Sequence, residues 1–158
     1  MNEDDITYCV KEYLQENRWE IISYNPPGGH GGTIIDFSSL KKDRSKSWQI
    51  PDILAYKNKM VLLIECKPRY NEKDVKKLNK IFHNETILKK LENLIQTKLI
   101  MLNLMKKNNK LYLFKAIAFT GKIITLDDFI TFHVNEDNIV SVHFGENIEP
   151  QIKKVFNN

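Results

Sequence analysis

Three features of the chain predict a single mixed α/β domain. Apolar residues recur at helical spacing near the start and again through the middle. Between and after these segments lie short runs of branched aliphatic and aromatic residues, the pattern of buried strands. Neither an internal repeat nor a linker divides the 158 residues, so one domain over 1–158 is expected. A chain of this length buries roughly 70% of its unfolded surface, enough for a substantial core.

The elements follow in order. Asn2 to Asp5 offer N-caps ahead of Ile6, Val10, Tyr13 and Leu14, one helical face, which predicts a helix over about 4–17. "RWEIISY", Arg18–Tyr24, reads as a strand. "NPPGGHGGT", Asn25–Thr33, cannot hold a regular element, because its prolines and glycines break both kinds. Thr33–Phe37 is a second candidate strand, and "SSLKKDRSKS" from Ser38 a polar, basic loop. Ile50–Tyr70 reads as a β-hairpin with its turn at Lys57-Asn58-Lys59. Beyond Pro68, Val75, Leu78 and Phe82 share one helical face. A further helix from Asn84 points Ile87, Leu88, Leu91, Leu94 and Ile95 inward. "KLYLFKAIAFTG" from Lys110 is a buried strand and "NIVSVHFG" a last one. "TLDDFITFHV" is read as a short helix capped by Thr125, with a strand as the alternative.

A formal charge of +4 is compatible with a polyanionic partner and does not require one. Cys9 and Cys66 are too few for a disulfide framework, and Cys66 is expected to act as a small buried apolar residue. The acidic start, MNEDDITY, lacks the apolar core of a secretory signal. No run approaches ~18 apolar residues, so no membrane span is expected. The expected location is cytoplasmic.

The chemistry lies in the hairpin. Residues two apart on a strand point the same way, so Glu65 and Lys67 share a face, while Ile64 and Cys66 take the other. With the turn at 57–59, Asp52 falls on the neighbouring strand near Glu65. Two carboxylates and the Cys66 backbone carbonyl make an all-oxygen site suited to Mg²⁺, with Mn²⁺ able to substitute. Such an ion polarises a phosphodiester and acidifies a water. Lys67 beside it can orient or deprotonate that water and stabilise developing charge. The plainer alternative is a pair of solvated strand ends in which Lys67 pairs with Glu65.

"PDILA…LLIECK" resembles the PD-(D/E)xK nuclease superfamily, which includes restriction endonucleases and archaeal Holliday-junction resolvases. Pro51-Asp52 and Glu65-Cys66-Lys67 match its motif position by position. The resemblance extends over roughly the first two-thirds of the chain. It implies a restriction endonuclease-like core, a mixed central sheet flanked by helices. It also implies Asp52 and Glu65 as metal ligands and Lys67 as the catalytic lysine. Resolvase-like members carry a further acid on the first helix, where Thr7 stands here. Glu3, Asp4, Glu12 or Glu16 can serve with a shift of register, and Glu12 is the candidate carried forward, against its reading as a solvated helix residue.

DNA contacts are expected from the glycine-rich loop, where Gly29, His30 and Gly31 can approach a phosphate closely. Lys41, Lys42, Arg44 and Lys46 precede the motif and Arg69 follows it, extending a basic track with Lys73, Lys76 and Lys77. The expected function is a Mg²⁺-dependent DNA endonuclease, restriction-type because the 38–48 loop is long enough to enter a groove, acting as a homodimer or with a partner subunit. The alternatives are a junction- or structure-specific endonuclease and a non-catalytic DNA-binding module of the same fold.

Overall fold

The computed structural model describes residues 1–26 and 51–157. Helix α1 (Glu3–Glu16) opens on a reciprocal capping box. The Asn2 side chain accepts from the Asp5 N–H at 2.8 Å, and the Asp5 carboxylate accepts from the Asn2 N–H at 3.1 Å. Two N–H groups that a helix start leaves unpaired are thereby satisfied. Ile6, Val10 and Leu14 are fully buried, the face that the periodicity predicts. The helix stops at Asn17, after which Arg18 takes a left-handed φ of 67°.

Strands β1 (Glu20–Tyr24), β2 (Ile53–Lys57) and β3 (Met60–Arg69) pair antiparallel in succession. The predicted hairpin is β2–β3, closed by the two-residue turn Asn58-Lys59 with φ of 48° and 68°. Two positive φ values are what a type I′ turn needs to match the twist of its strands. Helices α2 (Glu72–His83) and α3 (Glu85–Met101) carry the chain to β4 (Tyr112–Thr120), which lies parallel to β3. Strand β5 (Ile130–Val134) is parallel to β4, β6 (Val140–Phe144) is antiparallel to β5, and α4 (Pro150–Asn157) follows. Among the described residues the sheet has six strands in the order β1-β2-β3-β4-β5-β6. A mixed sheet with helices packed on it is the restriction endonuclease-like α/β architecture that the sequence predicts.

Alternation along β3 divides the core. Val61 and Leu63 face a layer formed by α2 and α3, with Leu78, Ile81, Leu91, Ile95 and Leu99. Leu62, Ile64 and Cys66 face α1 and α4, with Ile6, Val10, Leu14, Ile152 and Phe156. Trp19 is buried against Phe156 in this layer. Lys57 ties this second layer together: its ammonium donates to the Asn17 and Val155 carbonyls at 2.9 Å each. No helix among the described residues is long and apolar enough to cross a membrane.

Two expectations need correction. The segment "TLDDFITFHV" is a turn followed by β5, not a helix. Ile130, Thr131, Phe132 and Val134 are branched or aromatic and buried between two flanking strands, so the pleated environment outweighs the capping signal at Thr125. Helix α4 was not anticipated, although Pro150 at its first turn and Ile152, Val155 and Phe156 at helical spacing mark it. The candidate strand 33–37 lies outside the described residues.

The turn before β5 depends on a glycine by close approach. A Cβ on Gly145 would stand 2.0 Å from the Leu126 carbonyl oxygen and 2.3 Å from that of Asp127. Both are backbone atoms and cannot yield like a side chain. Gly145→Ala is expected to lower unfolding free energy by roughly 2–3 kcal/mol in a denaturant titration; an unchanged midpoint would show that the turn tolerates the group.

Candidate active site

The hairpin register brings the predicted acids together. Ile53 pairs with Ile64, so continuing by one residue sets Asp52 across from Glu65. Asp52 Oδ2 accepts from the Cys66 N–H at 2.8 Å, and the Asp52 carbonyl accepts from the Asn25 N–H at 2.8 Å. These bonds hold the aspartate at the mouth of the hairpin, just outside the regular pairing. Glu65 lies on the α2/α3 side of β3 and is 2% exposed. Cys66 faces the other way, fully buried, and burial pushes its thiol well above the ordinary range, so it is an inert core residue.

Beyond Cys66 the pairing of β3 with β4 slips by one residue before Arg69. Pro68, which has no N–H to give a ladder, sits in this slip, and its carbonyl accepts from the Thr120 hydroxyl at 2.8 Å. The irregularity falls just where the strand must present side chains rather than continue a sheet. Lys67 lines the same small cleft as Glu65, Arg69, Tyr70, Asn71 and Asp74, a cavity of about 10 Å³ with room for about one water.

The ion pairs differ from the plainer reading of the motif. Lys67 does not pair with Glu65. Its ammonium contacts Glu3 Oε1 on α1 at 2.6 Å. The cation on Glu65 is Lys77 from α2, its Nζ 2.6 Å from Oε1. That short, charge-assisted contact opposes the rise that burial imposes on the Glu65 carboxyl. Asp74, one turn before Lys77, is buried beside the cleft. Four carboxylates (Glu3, Asp52, Glu65, Asp74) and two ammonium groups (Lys67, Lys77) thus gather where the sheet ends, with a formal charge of −2.

The electrostatics follow from crowding and burial. Burial pushes the Glu65 carboxyl up to about 8, and the nearby Asp52 charge adds to the rise against the pull of Lys77. Asp52 is raised chiefly by burial, against the opposing Cys66 N–H and both lysines. Asp74 is raised for the same first reason. Burial would lower Lys67, but the hydrogen bond and charge of Glu3, with Asp74 and Asp52 near, leave it above its ordinary value. Lys67 is therefore an ammonium at neutral pH, a donor and a positive charge rather than a proton acceptor.

Of the other predicted residues, Arg69 lines the cleft and is exposed. Glu12 is half-buried and paired with Lys11 at 3.0 Å, whereas Glu3, nine residues earlier on α1, is the helix acid that reaches Lys67. The capping box starts α1 at Glu3, and from that first turn Glu3 contacts Lys67 near the end of β3. Gly29, His30, Gly31, Lys41, Lys42, Arg44 and Lys46 lie outside the described residues. Reading the sequence missed Asp74 as a site group and took Lys77 for part of the basic track; their i, i+3 spacing on α2 was the available signal.

These shifts set a pH dependence. Glu65 stands at about 8 in the fold against an ordinary 4.5. Folding therefore favours its protonated form, and its contribution is complete below about 4.5 and lost as pH rises through about 8. Asp52 and Asp74 shift in the same direction. In metal-free buffer, thermal stability is expected to fall across that window, and Glu65→Gln to flatten the fall and exceed the parent at its alkaline end. A parent curve that rises over the same window would contradict this electrostatic picture.

Residues 29–136, about two-thirds of the chain, match the family model described as archaeal Holliday junction resolvase (Hjc). No curated protein and no solved structure matches significantly. The matched span contains the whole hairpin with Asp52, Glu65 and Lys67, as well as α2 with Asp74 and Lys77. Matched over this span, with the motif hairpin set in a restriction endonuclease-like sheet, the chain belongs to the archaeal Holliday junction resolvase family of nucleases.

Proposed function

We propose that the chain is a divalent-cation-dependent endonuclease that cuts four-way DNA junctions, acting as a homodimer. The observation that carries this reading is the meeting of Asp52 and Glu65 across the hairpin mouth, with Lys67 in the same cleft. The family match favours junction resolution over the restriction-type reading that loop length suggested.

The donor set fits a hard cation such as Mg²⁺ or Mn²⁺. The excess of carboxylate over ammonium around the buried Glu65 is a charge imbalance that a divalent cation would offset. Among the described residues no three His, Cys, Asp or Glu groups form a ready cage. Mg²⁺ does not need one, since it commonly takes one or two carboxylates together with water and substrate phosphate. Asp52, Glu65 and the Cys66 carbonyl would hold it. Bound there, the ion supplies a Lewis acid for the phosphodiester and lowers the pKa of a water.

The remaining work falls to this chain's own groups. Lys67, kept protonated and aimed by Glu3, donates to a phosphate oxygen and offsets the charge that builds as the phosphorus is attacked. Glu3 fills the place of the helix acid by orienting that lysine. Arg69, exposed at the cleft, tracks the backbone next to the cut. A symmetric junction has two strands to cut, and a two-fold dimer supplies two such sites.

A synthetic four-way junction incubated with Mg²⁺ should receive paired nicks near its branch, and EDTA should abolish them. Lys67→Ala and Asp52→Asn should each slow the cut by roughly 10²-fold or more while junction binding persists. A defined plasmid digest with the junction left whole would support the restriction-type reading instead. Tight binding without cutting, whatever the cation, would identify a non-catalytic module.

A further inference from the structure

The motif assigns one lysine to the site, and the structure puts two there. Lys67 is engaged by Glu3. Lys77 reaches over from α2 and sets its ammonium 2.6 Å from Glu65 Oε1, in a carboxylate 2% exposed. Its own side chain is 18% exposed, so most of its length packs against the fold. A lysine spends side-chain freedom and hydration to be held so. The return is a positive charge beside the buried Glu65 carboxyl, which offsets part of the rise that burial and Asp52 impose on it.

The contact has a second property. Lys77 holds Oε1 through one charge-assisted contact, and no second donor reaches that oxygen among the described residues. A compact ammonium on a flexible stem is suited to such a reversible arrangement, whereas a bidentate arginine would hold fast. The oxygen Lys77 covers belongs to one of the carboxylates that would ligate a divalent ion.

We propose that Lys77 is a built-in counter-cation of the metal-free site, which must leave Glu65 before a divalent ion binds and thereby weakens the site's affinity for that ion. The proposal rests on the divalent-cation reading above. It adds a residue outside the Asp52, Glu65 and Lys67 motif, whose role is to set how much metal the site requires rather than to touch the reacting phosphate. A carboxylate pair left bare would bind ions more tightly but would burden the metal-free fold with uncompensated charge. Lys77 trades some of that affinity for a stable empty state.

The test is Mn²⁺ titration by calorimetry, without DNA, on the parent chain and on Lys77→Met, Lys77→Arg and Glu65→Gln. Lys77→Met keeps the apolar stem and removes the charge. It should bind Mn²⁺ more tightly by roughly tenfold or more, and its metal-free form should melt lower than the parent at neutral pH. Saturating Mn²⁺ should then raise its melting temperature by more than it raises the parent's. Lys77→Arg keeps a cation and should bind no more tightly than the parent, which guards against a nonspecific effect of substitution. If the parent binds Mn²⁺ and Lys77→Met binds equally or more weakly, the counter-cation role is overturned while the metal site stands. If neither binds Mn²⁺ and Glu65→Gln behaves identically, the metal reading itself fails, and this proposal with it.

Discussion

A carboxylate taken out of water beside another carboxylate dominates this molecule. Glu65 is almost wholly buried, Asp52 lies across from it in the hairpin register, and burial with that neighbour holds Glu65 up near the neutral range. A folded protein tolerates such a group only if a cation is near or a proton stays on. Lys77 and Lys67 supply part of the compensation and leave the cluster net negative. Much of the surrounding construction can be read as what is required to keep this pair in place.

The compensation is drawn from both layers of the domain. Glu3 comes from α1 on one face of the sheet, and Asp74 and Lys77 from α2 on the other. They can meet because β3 outruns its regular pairing, slipping against β4 at Pro68 so that its last residues stand at the edge where the faces join. The capping box of α1 and the Asn71 cap of α2, whose side chain accepts from the Lys73 N–H at 2.9 Å, fix where each helix begins. Those starts decide which side chains of the first turns reach the cleft. Local helix chemistry thus sets the geometry of a site whose named residues lie on strands, and the apolar layers of both faces bear the cost of the buried charges.

How much of this was legible depended on whether the cause was local. The hairpin could be read because Asn58-Lys59 is a turn signal and the flanking runs are long, and from it the meeting of Asp52 and Glu65 follows by counting. The inward faces of α1 and α3 could be read from period alone. The pairing of charges could not. Lys67 next to Glu65 suggests a mutual pair, but their partners come from residues 3 and 77, and only the packing of two helices on opposite faces assigns them. Glu12 looked as available as Glu3 because helical spacing alone does not say which turn meets the strand end. The segment at 125–134 was misread for a related reason: Thr125, Asp127 and Asp128 carry a helix-start signal, and the neighbouring strands that make Ile130–Val134 a strand are distant in sequence.

The central claim is that Asp52 and Glu65 share one divalent ion. Crystals grown with Mn²⁺ and measured for anomalous scattering address it without reference to activity or to DNA. The account predicts one strong anomalous peak between the two carboxylates, within bonding distance of an oxygen of each and of the Cys66 carbonyl. A peak elsewhere on the chain, or none at saturating Mn²⁺ with Glu65 still buried against Lys77, would contradict it.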